Sequence, residues 1–303
     1  MGKDNYREGL KDVTNTTKTD TGILKNQNRL TKREMKILGK HINAEKREIV
    51  AVSKYAIKID KFYEEIDKNK KIPKSIDYKQ RLLILDWIIG MQSALGLTDD
   101  TLYFCIQLLD LFLSKNRLGE AKLYLAGIAA LLISAKYEEV EWPDIKTLIK
   151  AGSVDLSEDD VKKAERCMLY NTNYDILFVN PLYFLRRAAK ANEYEEKSRF
   201  MAKYFLELIS ITDHCYKFNC KIKASTCMYL ARKICKQDLN KNLFLQYCKI
   251  DQTDMSDCLI VLIKLLYSDK ISHNLELKYN QKALHYVNVI ARKYVQQTFS
   301  SNK

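Results

Sequence analysis

Apolar residues recur at helical spacing from about residue 44 onward. The first run ends where Lys68 to Lys71 and Pro73 break the pattern, and its apolar members are Ile49, Val52, Tyr55, Ala56, Ile59, Phe62 and Tyr63. The preceding stretch is polar, charged and nearly free of aromatic residues. We therefore expect a disordered tail over residues 1–44 and an N-terminal helix over residues 45–72.

The segment 73–175 predicts five helices, four of them packed around a buried one. The third helix, Glu120 to Lys136, is apolar nearly all round and rich in small residues, which is typical of the centre of a bundle. Thr98 is a good cap for the second helix, and Pro143 suits the first turn of the fourth. Ser157 begins a capping-box pattern for the fifth.

Residues 176–303 predict a second helical unit that begins at Pro181. Its small-residue helix, Ala224 to Ile234, faintly repeats the central helix of the first unit and is compatible with a duplicated five-helix fold. The chain has no Asn-Gly or Asp-Gly pair, so the strongest hairpin signals are absent. The fold class predicted is all-α, with helical patterns over 181–191, 194–213, 220–236, 241–249, 254–268 and 277–295.

The net charge of +13 arises from lysines spread over the whole length. An excess of this size fits either an acidic or nucleic-acid partner, or ordinary solvated helix faces. No stripe of basic residues interleaved with aromatic ones appears, which favours the second interpretation. We expect no nucleic-acid partner on this ground.

The eight cysteines form no CxxC pair, and most lie among apolar residues in helical stretches. They indicate small buried hydrophobes in a reducing, intracellular compartment. The group of His214, Cys215 and Cys220 lacks a second ligand pair at zinc-finger spacing, so no metal and no cofactor are expected. A membrane signal and the motifs of an enzyme, including a Gly-rich phosphate loop, are also missing. We expect no membrane association and no catalytic residues.

Five residues in the first unit stand at a characteristic spacing: Arg81, Asp110, Leu125, Lys136 and Glu165. The surrounding sequences read QRLLILDWIIGM, KLYLAGIAALLISAKYEEVEWPDI and VKKAERCML. With this spacing the chain resembles a cyclin of the mitotic A/B type, closest in pattern to the B type, over roughly residues 53–294. Arg81 and Asp110 are expected to pair inside the bundle, and Leu125 to pack in the central helix.

The resemblance implies a chain without catalysis of its own, which binds a cyclin-dependent protein kinase as a heterodimer and activates it allosterically. It implies that Lys136 and Glu165 bind main-chain groups of the kinase's regulatory helix, where charge-assisted hydrogen bonds are strong. Their neighbours on this surface would be Tyr137, Glu139, Tyr174 and Ile176. The alternatives are a plain surface ion pair for the two charges, and ordinary core packing for their apolar neighbours.

A second surface matches the patch through which cyclins dock Arg-x-Leu motifs of substrates and inhibitors. It comprises Leu83, Ile84, Trp87, Leu123 and Tyr124, with the tryptophan expected in an exposed groove. Three positions depart from the family: Gln80 replaces a Met, Tyr124 replaces a Gln, and Gly90 replaces the acidic or amide residue that meets the motif's Arg. Ordinary helix packing is the alternative.

Arg7, Leu10, Val13 and Asn15 fit the destruction box R-x-x-L-x-x-[LIV]-x-N, the pattern recognised by the anaphase-promoting ubiquitin ligase. With the resemblance, this indicates a protein of G2/M progression, degraded by the ubiquitin system and found in nucleus and cytoplasm. The segment PLYFLRRAAKA also resembles B-type cyclins, and we interpret its basic pair, Arg186 and Arg187, as solubilising charge.

Two other functions remain open. Transcription factors of the TFIIB type share the tandem cyclin fold, and a basic charge suits DNA. Such factors begin with a zinc ribbon of paired cysteines, which is missing from this N-terminus. A helical scaffold unrelated to kinases would make the five marker spacings a coincidence.

Overall fold

The structure is a computed structural model that describes residues 55–69, 76–190, 195–237, 241–268 and 271–300. Within these ranges all regular structure is helical, which confirms the predicted all-α class. None of the helices there is long and apolar enough to cross a bilayer. The predicted tail and the start of the predicted N-terminal helix lie outside the described residues.

The first fold consists of five helices: α2 (Tyr78–Leu95), α3 (Asp99–Lys115), α4 (Glu120–Glu138), α5 (Ile145–Gly152) and α6 (Glu158–Asn171). Helix α4 packs against all four of the others, as its apolar sequence predicts. Its residues Ile128 to Leu131 are fully buried, and Leu125 is partly buried against the same core.

Local sequence determines where these helices begin. The side chains of Asp77, Thr98, Asp144 and Ser157 each accept a hydrogen bond from a backbone N–H of the following first turn. Helix α2 ends at Gly96, whose φ of 65° lies in the left-handed region that glycine adopts without strain. The caps predicted at Thr98 and Ser157 are therefore confirmed. The prediction that Pro143 lies in the first turn of the fourth helix is wrong, because α5 begins at Ile145 with Asp144 as its cap, and Pro143 precedes that cap.

The second fold repeats the arrangement around α9, which packs against α7, α8 and α11. Two further helices follow: α12 packs on α2 of the first fold, and α13 packs on α8 and α11. The bounds are α7 (Pro181–Lys190), α8 (Glu196–Ile211), a 3-10 turn (Asp213–Tyr216), α9 (Cys220–Ile234), α10 (Lys241–Cys248), α11 (Gln252–Tyr267), α12 (His273–Tyr279), a 3-10 turn (Lys282–Leu284) and α13 (Val287–Ser300).

The single helix predicted over 277–295 is wrong. Helix α12 ends at Tyr279, and the chain turns through His285 and Tyr286 before α13 begins. Both turn residues have positive φ values, 56° and 51°, which an α-helix does not allow. Neither is a glycine, so the sequence carries no ordinary signal of this break.

The N-terminal helix α1 (Ala56–Asn69) lies on the second fold. The Asp67 carboxylate accepts hydrogen bonds from the backbone N–H groups of Cys220 (2.9 Å) and Lys221 (3.1 Å), so it caps α9 from outside that helix. Asp60 accepts a hydrogen bond from the Tyr183 hydroxyl.

The interpretation of Arg186 and Arg187 as solubilising charge is wrong for Arg187. Arg187 forms an ion pair with Asp60 of α1, so it attaches that helix to the second fold. Arg186 reaches Asp100 at the start of α3, with Nη2 2.5 Å from Oδ2. The Arg186 side chain stays largely exposed, so this pair contributes little to stability, and only Arg187 joins two parts of the molecule.

The predicted pair of Arg81 and Asp110 is confirmed, and it does more than fix the first fold. Arg81 Nε and Nη2 donate to the two carboxylate oxygens at 2.7 and 2.8 Å, and both side chains are buried. The same guanidinium donates to the carbonyl oxygens of Ser210 (2.8 Å) and Ile211 (2.7 Å) at the end of α8. Burial lowers the pKa of Arg81, but the charge and hydrogen bonds of Asp110 outweigh it and leave that pKa raised.

Candidate functional site

Lys136 and Glu165 meet at the surface of the first fold. Lys136 lies in the last turn of α4, Glu165 lies on α6, and these two helices pack together. The Lys136 Nζ is 2.6 Å from the Glu165 Oε1, with side-chain exposures of 40% and 16%. An ion pair at this level of exposure contributes little to folding, about 0–1 kcal/mol, so both charges are available to a partner at small cost.

The predicted apolar neighbours are exposed beside this pair. Tyr137 follows Lys136 directly and packs one face on Phe104, with ring centroids 4.6 Å apart, while more than half of it stays exposed. Tyr174 is also exposed and lies in the turn after α6, where its φ is 55°. Ile176 is partly buried. Ordinary core packing therefore does not describe the two tyrosines.

Three exposed apolar residues that follow the helices of Lys136 and Glu165, or lie near their ends, were missed by sequence analysis. Val140 is 95% exposed and Trp142 is also exposed, both in the loop between α4 and α5, and Tyr170 is exposed near the end of α6. The signal that could have found the first two is their position: apolar side chains within an acidic turn between helices have no helix face to pack on. We define the Lys136 surface as these three residues with Lys136, Glu165, Tyr137, Glu139, Tyr174 and Ile176.

Glu139 has a structural partner inside the first fold. Its Oε1 accepts hydrogen bonds from the Thr98 N–H at 2.8 Å and the Thr101 hydroxyl at 2.5 Å, so it completes the cap of α3. Partial burial raises the pKa of Glu139, but these hydrogen bonds outweigh it and hold that pKa below its ordinary value. Any contact with a partner is left to its other oxygen.

The predicted docking patch is less open than expected. Ile84 and Leu123 are fully buried, and Leu83 is the well exposed member at 46%. The expectation of an exposed tryptophan is corrected: the Trp87 side chain is partly buried over Gly152, its Nε1 donates to the Gly152 carbonyl at 3.3 Å, and its ring meets Tyr124 edge-on. Glycine is needed there because a Cβ on it would lie 2.6 Å from the indole.

The space beside Gly90, where a side chain would lie, is occupied by a residue of the second fold. A Cβ on Gly90 would lie 3.0 Å from the Asn274 side chain, at the start of α12. Asn274 Nδ2 donates to Asp86 at 3.0 Å, and Asp86 also accepts from the backbone N–H of Asn274 and from the Ser272 hydroxyl. An amide and a carboxylate therefore stand beside the patch, although Gly90 itself has no side chain.

Three predicted features remain: the candidate metal ligands, the free cysteines and the destruction box. His214 and Cys220 are partly buried and Cys215 is buried, and the described residues contain no His, Cys, Asp and Glu cluster that could hold a metal ion. All eight cysteines are free thiols. The destruction-box residues Arg7, Leu10, Val13 and Asn15 lie outside the described residues.

Two sequence models of one family match successive parts of the chain. The Cyclin, N-terminal domain model matches residues 52–177, and the Cyclin, C-terminal domain model matches residues 179–293. Together they span α1, the helices from α2 to α12 and the first half of α13. The chain belongs to the cyclin family. Its five marker residues lie within the first matched range.

Curated relatives of this cyclin include G2/mitotic-specific cyclin cig2 of Schizosaccharomyces pombe, which is 29% identical over 76% of this chain and 56% of the relative. G2/mitotic-specific cyclin-B of Hydra vulgaris is 36% identical over 52% of this chain and 44% of the relative. G2/mitotic-specific cyclin-1 of Saccharomyces cerevisiae is 37% identical over 52% and 33%. The cyclin thus spans about half the length, or less, of these relatives.

A solved structure shares the fold. The viral cyclin from herpesvirus saimiri superposes with a TM-score of 0.59 at 14% identity and covers 69% of this chain and 99% of its own. At this identity the similarity shows the fold alone. It agrees with the tandem arrangement of helices described above.

Proposed function

We propose that this cyclin binds a cyclin-dependent protein kinase through the Lys136 surface and activates it allosterically. The observation that carries the proposal is the ion pair of Lys136 and Glu165 at the surface, with exposed aromatic and aliphatic side chains at the ends of the same two helices and in the loop that follows α4. Monomeric proteins rarely leave such patches uncovered, and tyrosine and tryptophan are the residues that most often dominate binding energy. The G2/mitotic relatives support the same assignment.

The two charges suit the backbone of a kinase helix. Before binding, Lys136 and Glu165 satisfy each other; in the complex the ammonium meets carbonyl oxygens and the carboxylate meets N–H groups. Burying Val140, Trp142 and Tyr174 then contributes the apolar free energy. Displacement of the kinase's regulatory helix brings its Glu to the Lys of the kinase strand, and this ion pair is needed for phosphoryl transfer. Activation is then a shift between two states of the kinase.

The test is a kinase assay with the purified cyclin and a monomeric mitotic cyclin-dependent kinase. Replacing both Lys136 and Glu165 by Ala should weaken binding by about a hundredfold or more, because each charge-assisted hydrogen bond contributes about 1.5–3 kcal/mol. The matched control replaces Lys146 and Glu158, an exposed ion pair of the same fold at 3.6 Å, and should change nothing. Wild-type activation by the first variant would refute this use of the surface.

A second candidate activity belongs to the Trp87 patch, defined as Leu83, Ile84, Trp87, Leu123 and Tyr124. We propose that exposed Leu83, with the edges of the two aromatic rings, receives the Leu of an Arg-x-Leu segment in a substrate or inhibitor. The cationic side chain of that segment would meet Asp86 and Asn274 in place of the missing side chain at Gly90.

This docking is tested with an Arg-x-Leu peptide and a copy with both motif residues changed to Ala. Leu83→Ala should weaken binding of the first peptide by about tenfold, since it removes most of an anchoring side chain. Leu277→Ala, an equally exposed leucine on α12, is the control. Equal affinity of the two peptides would exclude the motif.

We also propose that the protein acts at G2/M, in nucleus and cytoplasm, and is removed by the anaphase-promoting ubiquitin ligase through Arg7, Leu10, Val13 and Asn15. The support is the match of these residues to the destruction-box pattern, together with the G2/mitotic relatives. In synchronised cells, Arg7→Ala with Leu10→Ala should leave the protein present after mitotic exit. Unchanged loss of that variant would refute the role of the motif.

A further inference from the structure

A cavity of about 470 Å³ lies where α1, the first fold and the second fold meet. Its volume is within the range of small-molecule sites, about 300–1,000 Å³. Part of its wall is apolar, from Ile66, Ile106, Phe178, Val179 and Phe218. The Lys136 surface and the Trp87 patch contribute none of the residues that line this junction cavity.

Lys223 in the first turn of α9 lines the cavity and is only 7% exposed. The hydrogen bond that it makes with the described residues is from Nζ to the Cys215 carbonyl, at 2.9 Å. No carboxylate of the described residues is within ion-pair distance of it. A buried ammonium is normally paired with an anion, because desolvation of an unpaired charge is unfavourable.

The two carboxylates in the wall are already occupied. Asp110 binds Arg81 with both oxygens, and Asp67 accepts from the N–H groups of Cys220 and Lys221. Neither is therefore left to neutralise Lys223. Two more lysines that line the cavity, Lys68 and Lys217, are exposed and add positive charge. The balance of charge in the cavity favours an anion.

A hydrogen-bond donor is also unsatisfied in the wall. Tyr103 on α3 is 2% exposed and lines the cavity, and its hydroxyl has no hydrogen-bond partner among the described residues. Buried hydroxyls are nearly always hydrogen-bonded in folded proteins. A ligand with an acceptor group would satisfy this donor as well as Lys223.

We propose that the junction cavity binds a small organic anion. Its carboxylate or phosphate group contacts Lys223, and its apolar body lies against Phe178 and Phe218. Because the wall is built from α1 and both folds, the bound molecule holds these three parts together. This site is separate from kinase binding, so the two proposals can fail independently.

The experiment measures binding of benzoate, phenyl phosphate and neutral benzamide to the full chain by ligand-observed NMR and thermal unfolding. Benzoate or phenyl phosphate should bind at low millimolar concentration and raise the unfolding temperature, with benzamide at least tenfold weaker. Which of the two anions binds more tightly distinguishes a carboxylate ligand from a phosphate ligand. Lys223→Met keeps the aliphatic stem and should weaken anion binding by about tenfold to a hundredfold. Lys293→Met, an exposed lysine of α13, is the control and should bind as wild type.

A second variant keeps the test decisive if Lys223→Met unfolds. Tyr103→Phe retains the ring and removes only the unpartnered hydroxyl, so the unfolding temperature should not fall, whereas anion binding should weaken several-fold. Any of three results would overturn the proposal. Benzoate and benzamide could bind equally well, both variants could bind the anions as tightly as wild type does, or neither anion could bind at all.

Discussion

The guanidinium of Arg81 is fully buried and touches both folds. Its pairing with Asp110 is visible in the sequence as a spacing, but its contacts with Ser210 and Ile211 involve backbone oxygens, which every residue carries. The pattern of side chains in the sequence therefore cannot predict these contacts. The side chain therefore sets the position of α8 as well as the register of α2 and α3.

Asp110→Asn should destabilise the protein by about 3–5 kcal/mol, because it leaves a buried guanidinium without its counter-charge. The measurement is urea unfolding at neutral pH. The control is Glu158→Ala, which breaks an exposed ion pair and should change stability by less than about 1 kcal/mol. A loss as small as that of the control would show that the second-fold carbonyls alone hold Arg81.

Gly152→Ala should destabilise the protein by about 1–3 kcal/mol through overpacking, since the new Cβ would lie 2.6 Å from the Trp87 indole. Tryptophan fluorescence should change with it, because the ring must move. Gly119→Ala is the control: a Cβ on Gly119 would have no neighbouring atom within 4 Å, so this variant should fold normally. Equal stability of the two variants would contradict the close packing of Trp87.

At the scale of elements, helix α12 shows where sequence patterns are insufficient. Apolar residues continue at helical spacing from 277 to 295, yet the chain breaks at His285 and Tyr286. The break places Glu276 against α8 and α13, where it accepts hydrogen bonds from Tyr204 (2.7 Å), Asn288 (2.8 Å) and Arg292 (2.7 Å). These contacts between elements, rather than local propensity, hold α12 in place.

Because of Glu276, the free energy of unfolding should change with pH in the acid range. Burial raises its pKa, but the hydrogen bonds from Asn288, Arg292 and Tyr204 outweigh this and lower the pKa from its ordinary value of 4.5. The unfolded chain therefore takes up the proton first as the pH falls. The stability that Glu276 contributes is present above pH 4.5 and is lost as the pH falls through the folded pKa.

Glu276→Gln should accordingly be less stable than wild type at neutral pH by about 1–3 kcal/mol, and the difference should shrink below the ordinary pKa. Urea unfolding across the acid range measures both. Glu65→Gln, an exposed glutamate of α1, should match wild type at every pH. A deficit that stays constant with pH would show that the charge of Glu276 does not matter.

For the whole molecule, the contact between the two folds is rich in ion pairs. Asp99 of the first fold lies 2.7 Å from the Lys203 Nζ and 3.0 Å from the Lys278 Nζ of the second fold, and Lys278 also reaches buried Glu207. Asp86 holds the start of α12. The sequence suggested that the lysines are solvated charges on helix faces. Lys203 and Lys278 instead join the two folds.

We expect the two folds to unfold together in the wild type. Both tryptophans, Trp87 and Trp142, lie in the first fold, so fluorescence reports on that fold and circular dichroism on all helices. The two transitions should coincide. In the variant Asp86→Ala with Asp99→Ala they should separate, whereas Lys146→Ala with Glu158→Ala should leave them coincident. Separate transitions in the wild type would mean that the folds are independent.

The sequence by itself determined the helical class, the helix starts at Thr98 and Ser157, the central helices of both folds, and the pairing of Arg81 with Asp110. These depend on local capping, on apolar periodicity, or on a marker spacing. Only the tertiary structure decided the break before α13, the position of α1 on the second fold, the burial of Ile84 and Leu123, and the junction cavity. The reason is physical: these features arise where distant segments meet, and their energies belong to pairs of elements and not to any single stretch of chain.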